Sequence, residues 1–123
     1  MDQFSFEKLE VWQLSRILVG KIYSITKSFP DSERFGLINQ IRRASISISS
    51  NLAEGTSRMS TKDQAHFSQL AYSSLMELAN QIILANDLTY IDENQLSDLR
   101  EYINELSNKI NALYKYQKNR KKQ

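Results

Sequence analysis

The sequence predicts an all-α fold, four long helices packed as an antiparallel up-down-up-down bundle. Three observations carry that reading. Apolar residues recur at spacings of three and four along four separate stretches, the stripe that an amphipathic helix buries. One proline and three glycines are too few for a chain rich in turns. The few stop signals fall between the stripes, and no strand-like alternation competes with them.

The first helix is expected from Phe6 to Ser28, ended by Phe29-Pro30, because the residue before a proline is pushed out of helical geometry. Its inward stripe is Val11, Leu14, Leu18, Ile22 and Ile25. The second helix is expected from Ser32 to Thr56, with Leu37, Ile41, Ala44, Ile48 and Leu52 on one face and Gly55 placed to end it. Gly36 falls in its first turns, where glycine costs about 1 kcal/mol against alanine, so its use there is close packing. The third helix starts at Ser60, whose hydroxyl can accept from the backbone, with Asp63 three residues on. Phe67, Leu70, Ala71, Leu78 and Ile82 follow as its inward face. The loop Leu88-Thr89-Tyr90-Ile91 leads to Asp92 and Gln95, a capping-box spacing. The fourth helix has the most regular stripe, Leu96, Leu99, Ile103, Leu106, Ile110 and Leu113, the seam of a coiled-coil-like bundle. Helices of about 23 to 28 residues are roughly 35 to 40 Å long, and connections of about four or five residues make consecutive helices antiparallel neighbours. The bundle is assigned to residues 1–116 and a basic tail to residues 117–123.

A chain of 123 residues suits one domain, and 41% apolar with 24% charged residues argues against wholesale disorder. The absence of cysteine excludes disulfides and thiolate metal sites and fits a reducing cytoplasm. The opening residues MDQFSFEKLEVW lack the apolar run of a signal peptide. No uninterrupted apolar stretch approaches the roughly 18 residues of a membrane span, so no membrane partner is expected.

Catalytic chemistry has little to work with. The single histidine, His66, forms Asp63-x-x-His66, whereas a di-iron bundle needs two Glu-x-x-His motifs and two further inward carboxylates. The serines sit mid-helix without a nucleophile elbow, and no Gly-rich phosphate loop occurs. Glu54 and Glu77 read as structural acids. Neither an enzyme nor a cofactor is expected. Asn51, at the edge of the second stripe, either sets register or forms a functional corner with Glu54 and Gly55.

Two faces carry more apolar surface than one bundle buries. Phe35, Arg42, Ile46, Ser49 and Ala53 lie opposite the stripe of the second helix, and Ser45, Ser47, Ser49 and Ser50 keep that helix slim. Tyr72, Met76 and Ile83 lie off the stripe of the third. These faces predict a homo-oligomer, with ordinary surface scatter as the alternative.

The net charge of +2 is unevenly spread. No acid follows Glu105, while Lys109, Lys115, Lys118, Arg120, Lys121 and Lys122 do; the rest of the chain has 10 basic against 14 acidic residues. The tail, with Tyr114 and Tyr116 among its cations, reads either as a phosphate- and base-contacting segment or as a solvated helix end. Arg42 and Arg43 point about 100° apart on their helix, and Arg58 and Lys62 flank the turn between the second and third helices.

Several stretches together resemble one family: Leu9-Glu10-Val11-Trp12-Gln13, Phe29-Pro30, Glu33-Arg34-Phe35-Gly36-Leu37, Gln40-Ile41-Arg42-Arg43-Ala44, Ser47 to Gly55, Phe67 to Leu78, and Leu88-Thr89-Tyr90. They are similar to the four-helix-bundle proteins encoded within intervening sequences of bacterial 23S ribosomal RNA genes, with relatives among accessory proteins of diversity-generating retroelements. The resemblance implies a ring-like homopentamer, no enzymatic activity, and association with RNA or DNA. It marks Arg42, Arg43, Asn51, Glu54 and Gly55 as hallmark positions. A scaffold that binds a partner protein through apolar helix faces is the alternative function.

Overall fold

The structure is a computed structural model and describes residues 2–120. It has four α-helices, α1 (Glu10–Thr26), α2 (Leu37–Ser57), α3 (Thr61–Asp87) and α4 (Glu93–Asn119), with 3₁₀ turns at Ser5–Lys8 and Asp31–Glu33. Among the described residues there is no strand. Each helix packs on its neighbours in sequence, most extensively α2 on α3 and α3 on α4, and α1 also meets α4. One core joins all four, with Leu18 and Ile22 from α1, Ile41 and Ile48 from α2, Leu75 and Leu78 from α3, and Leu106 and Ile110 from α4 nearly or wholly excluded from solvent. Phe29 and Ile91 close it from the connections. The fourth stripe is buried from Leu96 to Ile110 as expected, with Leu113 half-buried against it.

Helix starts differ from the sequence expectation where a side chain captures the backbone first. α1 begins at Glu10 rather than Phe6 because Leu9 is extended (φ −80°, ψ 118°). The preceding turn is held by the Glu7 carboxylate, which accepts from the Phe4 amide at 2.7 Å. α2 begins at Leu37 rather than Ser32. Here Glu33 works twice: Oε1 accepts from the Leu37 amide at 3.1 Å, and Oε2 accepts from the Tyr90 hydroxyl at 2.9 Å. Tyr90 also packs on Phe29, with ring centroids 5.3 Å apart. One carboxylate thus ties the start of α2 to the α3–α4 connection. Its hydrogen bond with Tyr90 holds that phenol above its ordinary value of 10.0. Gly36 is the residue before α2, and a Cβ there would lie 2.7 Å from Glu33 Oε1. The first connection therefore occupies residues 27–36, longer than the four or five expected.

Two further expectations are corrected. Gly55 does not end α2, which continues to Ser57; it is buried, and a Cβ at this position would stand 2.9 Å from the Cβ of Phe67. The bare backbone lets α2 and α3 cross closely. On α3, Leu70 is 37% exposed and Phe67 only half-buried. Ala71, Leu78 and Ile82 are buried as expected, and Ala65, Ser68, Leu75 and Ala85 complete the line, spaced by threes and fours. Its first half is made of small residues, so the larger side chains on its flank dominate the hydropathy pattern.

The caps fall where the sequence puts them. Ser60 Oγ accepts from the Asp63 amide at 3.0 Å. Asp92 and Gln95 exchange reciprocal bonds of 2.8 and 2.9 Å, a complete capping box. Past the end of α3, Thr89 takes φ 65°, a left-handed conformation that strains a β-branched residue. α4 runs past residue 116, and Gln117 is buried, its Oε1 accepting from the Ser68 hydroxyl at 2.6 Å. The bundle thus takes in the first residues assigned to the tail.

Candidate nucleic-acid interface

The cations singled out in the sequence divide into two groups. Arg42 is half-buried and fastens α2 to α1: its Nε donates to Thr26 Oγ1 at 2.8 Å, an Nη reaches the Tyr23 carbonyl at 3.4 Å, and the guanidinium covers the Tyr23 ring at 4.4 Å. Arg43 turns the other way, exposed, and lines a shallow groove with Gln40, Ser47 and Glu77.

The second group gathers at one end of the bundle. Arg58 lies in the α2–α3 connection, Lys62 in the first turn of α3, Lys115 and Lys118 in the last turns of α4, and Arg120 just beyond it. Gln64 links these elements: its Nε2 donates to the Arg58 carbonyl at 2.9 Å, and its Oε1 lies 3.5 Å from the Arg120 guanidinium. Arg58 covers the Phe67 ring at 4.5 Å and sits 3.8 Å from the Glu54 carboxylate, an exposed pair that contributes little stability. Lys62, Lys115, Lys118 and Arg120 are exposed. Lys121 and Lys122 lie outside the described residues.

A groove between α3 and α4 leads away from this end. Its outer stretch, about 350 Å³, is lined by Lys62, Ala65, His66, Gln69, Tyr114 and Lys118 among others. An inner stretch of about 430 Å³ shares His66, Gln69 and Tyr114 and continues to Tyr72, Ser73 and Asn111. Gln69 Nε2 donates to the Tyr114 hydroxyl at 3.3 Å, and Lys118 Nζ lies 5.7 Å from the Tyr114 ring centroid. Among the described residues, no aspartate or glutamate lines either stretch. The sequence alone singles out His66 as half of a metal motif and gives Gln69 and Asn111 no role. The usable signal was a polar stripe, Lys62, His66, Gln69 and Ser73 on α3 facing Asn111, Tyr114 and Lys118 on α4, each at spacings of three and four. Among the described residues, no three His, Asp or Glu side chains are grouped as a metal ion would need.

The remaining candidates lie along α2 and α3. Asn51 Nδ2 donates to the Ser47 carbonyl at 2.9 Å and to its hydroxyl oxygen at 3.2 Å, and Ser47 Oγ meets Ser74 Oγ at 2.9 Å. With Gly55 at the crossing, this belt joins α2 to α3, while Glu54 is exposed and turned to Arg58. Phe35 is 89% exposed, and Ile46 and Met76 are also exposed. Ser49 and Ala53 are half-buried, and Tyr72 packs against the core.

A family model described as 23S rRNA-intervening sequence protein matches residues 7–112. The chain belongs to that family. The match takes in α1, α2, α3 and most of α4 but stops short of Lys115, Lys118 and Arg120, so these cations of the gathered end lie beyond it. Among solved structures, this family member is similar to a protein of unknown function from the S23 ribosomal protein family of Bacteroides thetaiotaomicron. The TM-score is 0.79 and the identity 21%, over 85% of this chain and 98% of that one, a likeness of fold. No curated protein matches the chain.

Proposed function

We propose that this protein is a non-enzymatic, RNA-associated accessory protein that works in the cytoplasm as a ring-like homo-oligomer, a homopentamer of antiparallel up-down-up-down bundles. The observation that carries the reading is the gathering of Arg58, Lys62, Lys115, Lys118 and Arg120 at one end. Acids outnumber bases at the connections of the other end, where Asp31, Glu33, Asp87, Asp92 and Glu93 stand with Lys27 and Arg34, while Glu54 and Asp63 are the acids beside the cationic cluster. The protomer is therefore polarised, and a ring multiplies its positive end by the number of subunits. The family's description as 23S rRNA-intervening sequence protein supports RNA as the polyanion. The antiparallel order is supported by pairs that run in opposite directions: Ser47 with Ser74 and Gly55 beside Phe67, Gln69 with Tyr114 and Ser68 with Gln117, Leu14 with Tyr102 and Glu10 with Lys109. Exposed Phe35, Ile46 and Met76 support the oligomer.

A gel shift with structured RNA at low and at physiological salt tests the binding. The shift is expected at low salt and weakens as salt rises; an intact protein that shifts no RNA even at low salt refutes it. Light scattering on a sizing column tests the ring, and a monomer at micromolar concentration removes it. A second reading, a scaffold that docks a partner protein, is favoured by the same exposed Phe35. A partner protein that stays bound through nuclease treatment supports that alternative.

A further inference from the structure

Resting on the RNA reading above, we infer that the α3–α4 groove is a seat for single-stranded RNA, with Lys62 and Lys118 holding phosphates at its mouth and His66 and Tyr114 taking a base. Three features of the groove converge on that ligand. First, the charge is one-sided: two exposed lysines stand at the outer stretch, and among the described residues no carboxylate lines either stretch. Two other grooves among the described residues differ in this respect, since the α2–α3 groove contains Glu77 beside Arg43 and the α1–α4 groove contains Asp98 beside Lys21. Second, the shared middle combines an imidazole and a phenol with a primary amide, Gln69, and a second amide, Asn111, lies farther in. Aromatic side chains stack on base faces, and amides pair with base edges, each able to donate and accept. Third, those base faces and edges are open only in single strands; an RNA duplex keeps its bases stacked and offers chiefly phosphates and 2′-hydroxyls. The groove follows α3 from Thr61 to Ser73, roughly 18 Å at 1.5 Å per residue, enough for a short run of nucleotides.

The test uses fluorescence anisotropy with the intact protein, a labelled 12-nucleotide oligouridylate and a blunt 12-base-pair RNA duplex as the paired probe. Four variants are compared with the wild type: His66→Ala, Tyr114→Phe, the double variant Lys62→Gln with Lys118→Gln, and Lys27→Gln at the opposite end as a charge control. His66, Lys62, Lys118 and Lys27 are exposed, so their replacement leaves the fold intact. The single strand is expected to bind more tightly than the duplex. The double variant is expected to lower the slope of log K against log salt by about 1.4, at roughly 0.7 for each phosphate contact on a single strand. His66→Ala is expected to weaken binding about fivefold or more, one lost stack, while Tyr114→Phe keeps its ring and Lys27→Gln binds as the wild type. Wild-type binding that survives all groove variants unchanged overturns the groove and leaves the RNA reading standing. A wild type that binds neither probe overturns both.

Discussion

Gly55 offers the sharpest test of how α2 meets α3. Replacing it with alanine has two opposed effects. The helix gains up to about 1 kcal/mol because alanine loses less backbone entropy than glycine. Against this, the new Cβ would stand 2.9 Å from the Cβ of Phe67, a separation that forces the helices apart. Overpacking of this kind costs about 1–3 kcal/mol, so a net loss of about 1 kcal/mol is expected. Gly20 is the matched control: it is exposed in the middle of α1, and a Cβ there meets nothing within 4 Å. Gly20→Ala should therefore stabilise by about 1 kcal/mol, leaving the two variants about 2 kcal/mol apart. Urea unfolding followed by circular dichroism reads the difference, at one fixed protein concentration because self-association would couple to stability. If Gly55→Ala is as stabilising as Gly20→Ala, the helices do not cross closely there and the packing argument fails.

Other predictions concern single polar groups. Ser68→Ala leaves the buried Gln117 Oε1 without its donor, and a loss of about 1–3 kcal/mol is expected in thermal or urea unfolding; an unchanged midpoint would mean Gln117 is not held. Gln81 is buried with an Oε1 that has no hydrogen-bond partner, so Gln81→Met, which keeps the volume, should be neutral or stabilising by about 1 kcal/mol. Tyr90→Phe and Glu33→Gln should each lower the melting temperature, and their effects should add to less than the sum because both break one bond. In alkali, Tyr90 (hydrogen bond to Glu33), Tyr102 (burial) and Lys109 (hydrogen bond to Glu10) all titrate above their ordinary values in the fold. The folded chain then holds these protons longer than the unfolded one. Their contribution is therefore full below pH 10.0 to 10.5, the unfolded values, and is lost as pH rises through the raised ones. A pH series of melting temperatures should fall above about pH 10, and Tyr90→Phe should flatten part of that fall.

What was legible in the sequence is what depends on periodicity and short-range chemistry. The α4 seam, the Ser60 cap and the Asp92–Gln95 box are local, and the structure has each of them. The start of α2 was hidden because it depends on Glu33 meeting Tyr90, 57 positions along the chain. The register of α3 was hidden because Ala65, Ser68 and Ala71 bury little area each, and only the closeness of α2 and α4 makes small residues the right ones. Arg42 and Arg43 look equivalent as a pair, yet one ties α2 to α1 and the other is exposed, a difference set by where α1 lies. The polar groove was overlooked because its two walls are more than 40 positions apart, as the Gln69–Tyr114 pair shows, and neither wall is a motif alone.

The central claim is that the cationic end of the bundle binds RNA through phosphate contacts. Its most direct test is the salt dependence of single-stranded RNA binding by the wild-type protein. If Lys62, Lys115, Lys118 and Arg120 each meet a phosphate, log K should fall against log salt with a slope of about −2.8 per protomer engaged, roughly a 50-fold loss between 50 and 200 mM KCl. Absent binding at 50 mM, or binding that does not change across that range, would contradict the claim.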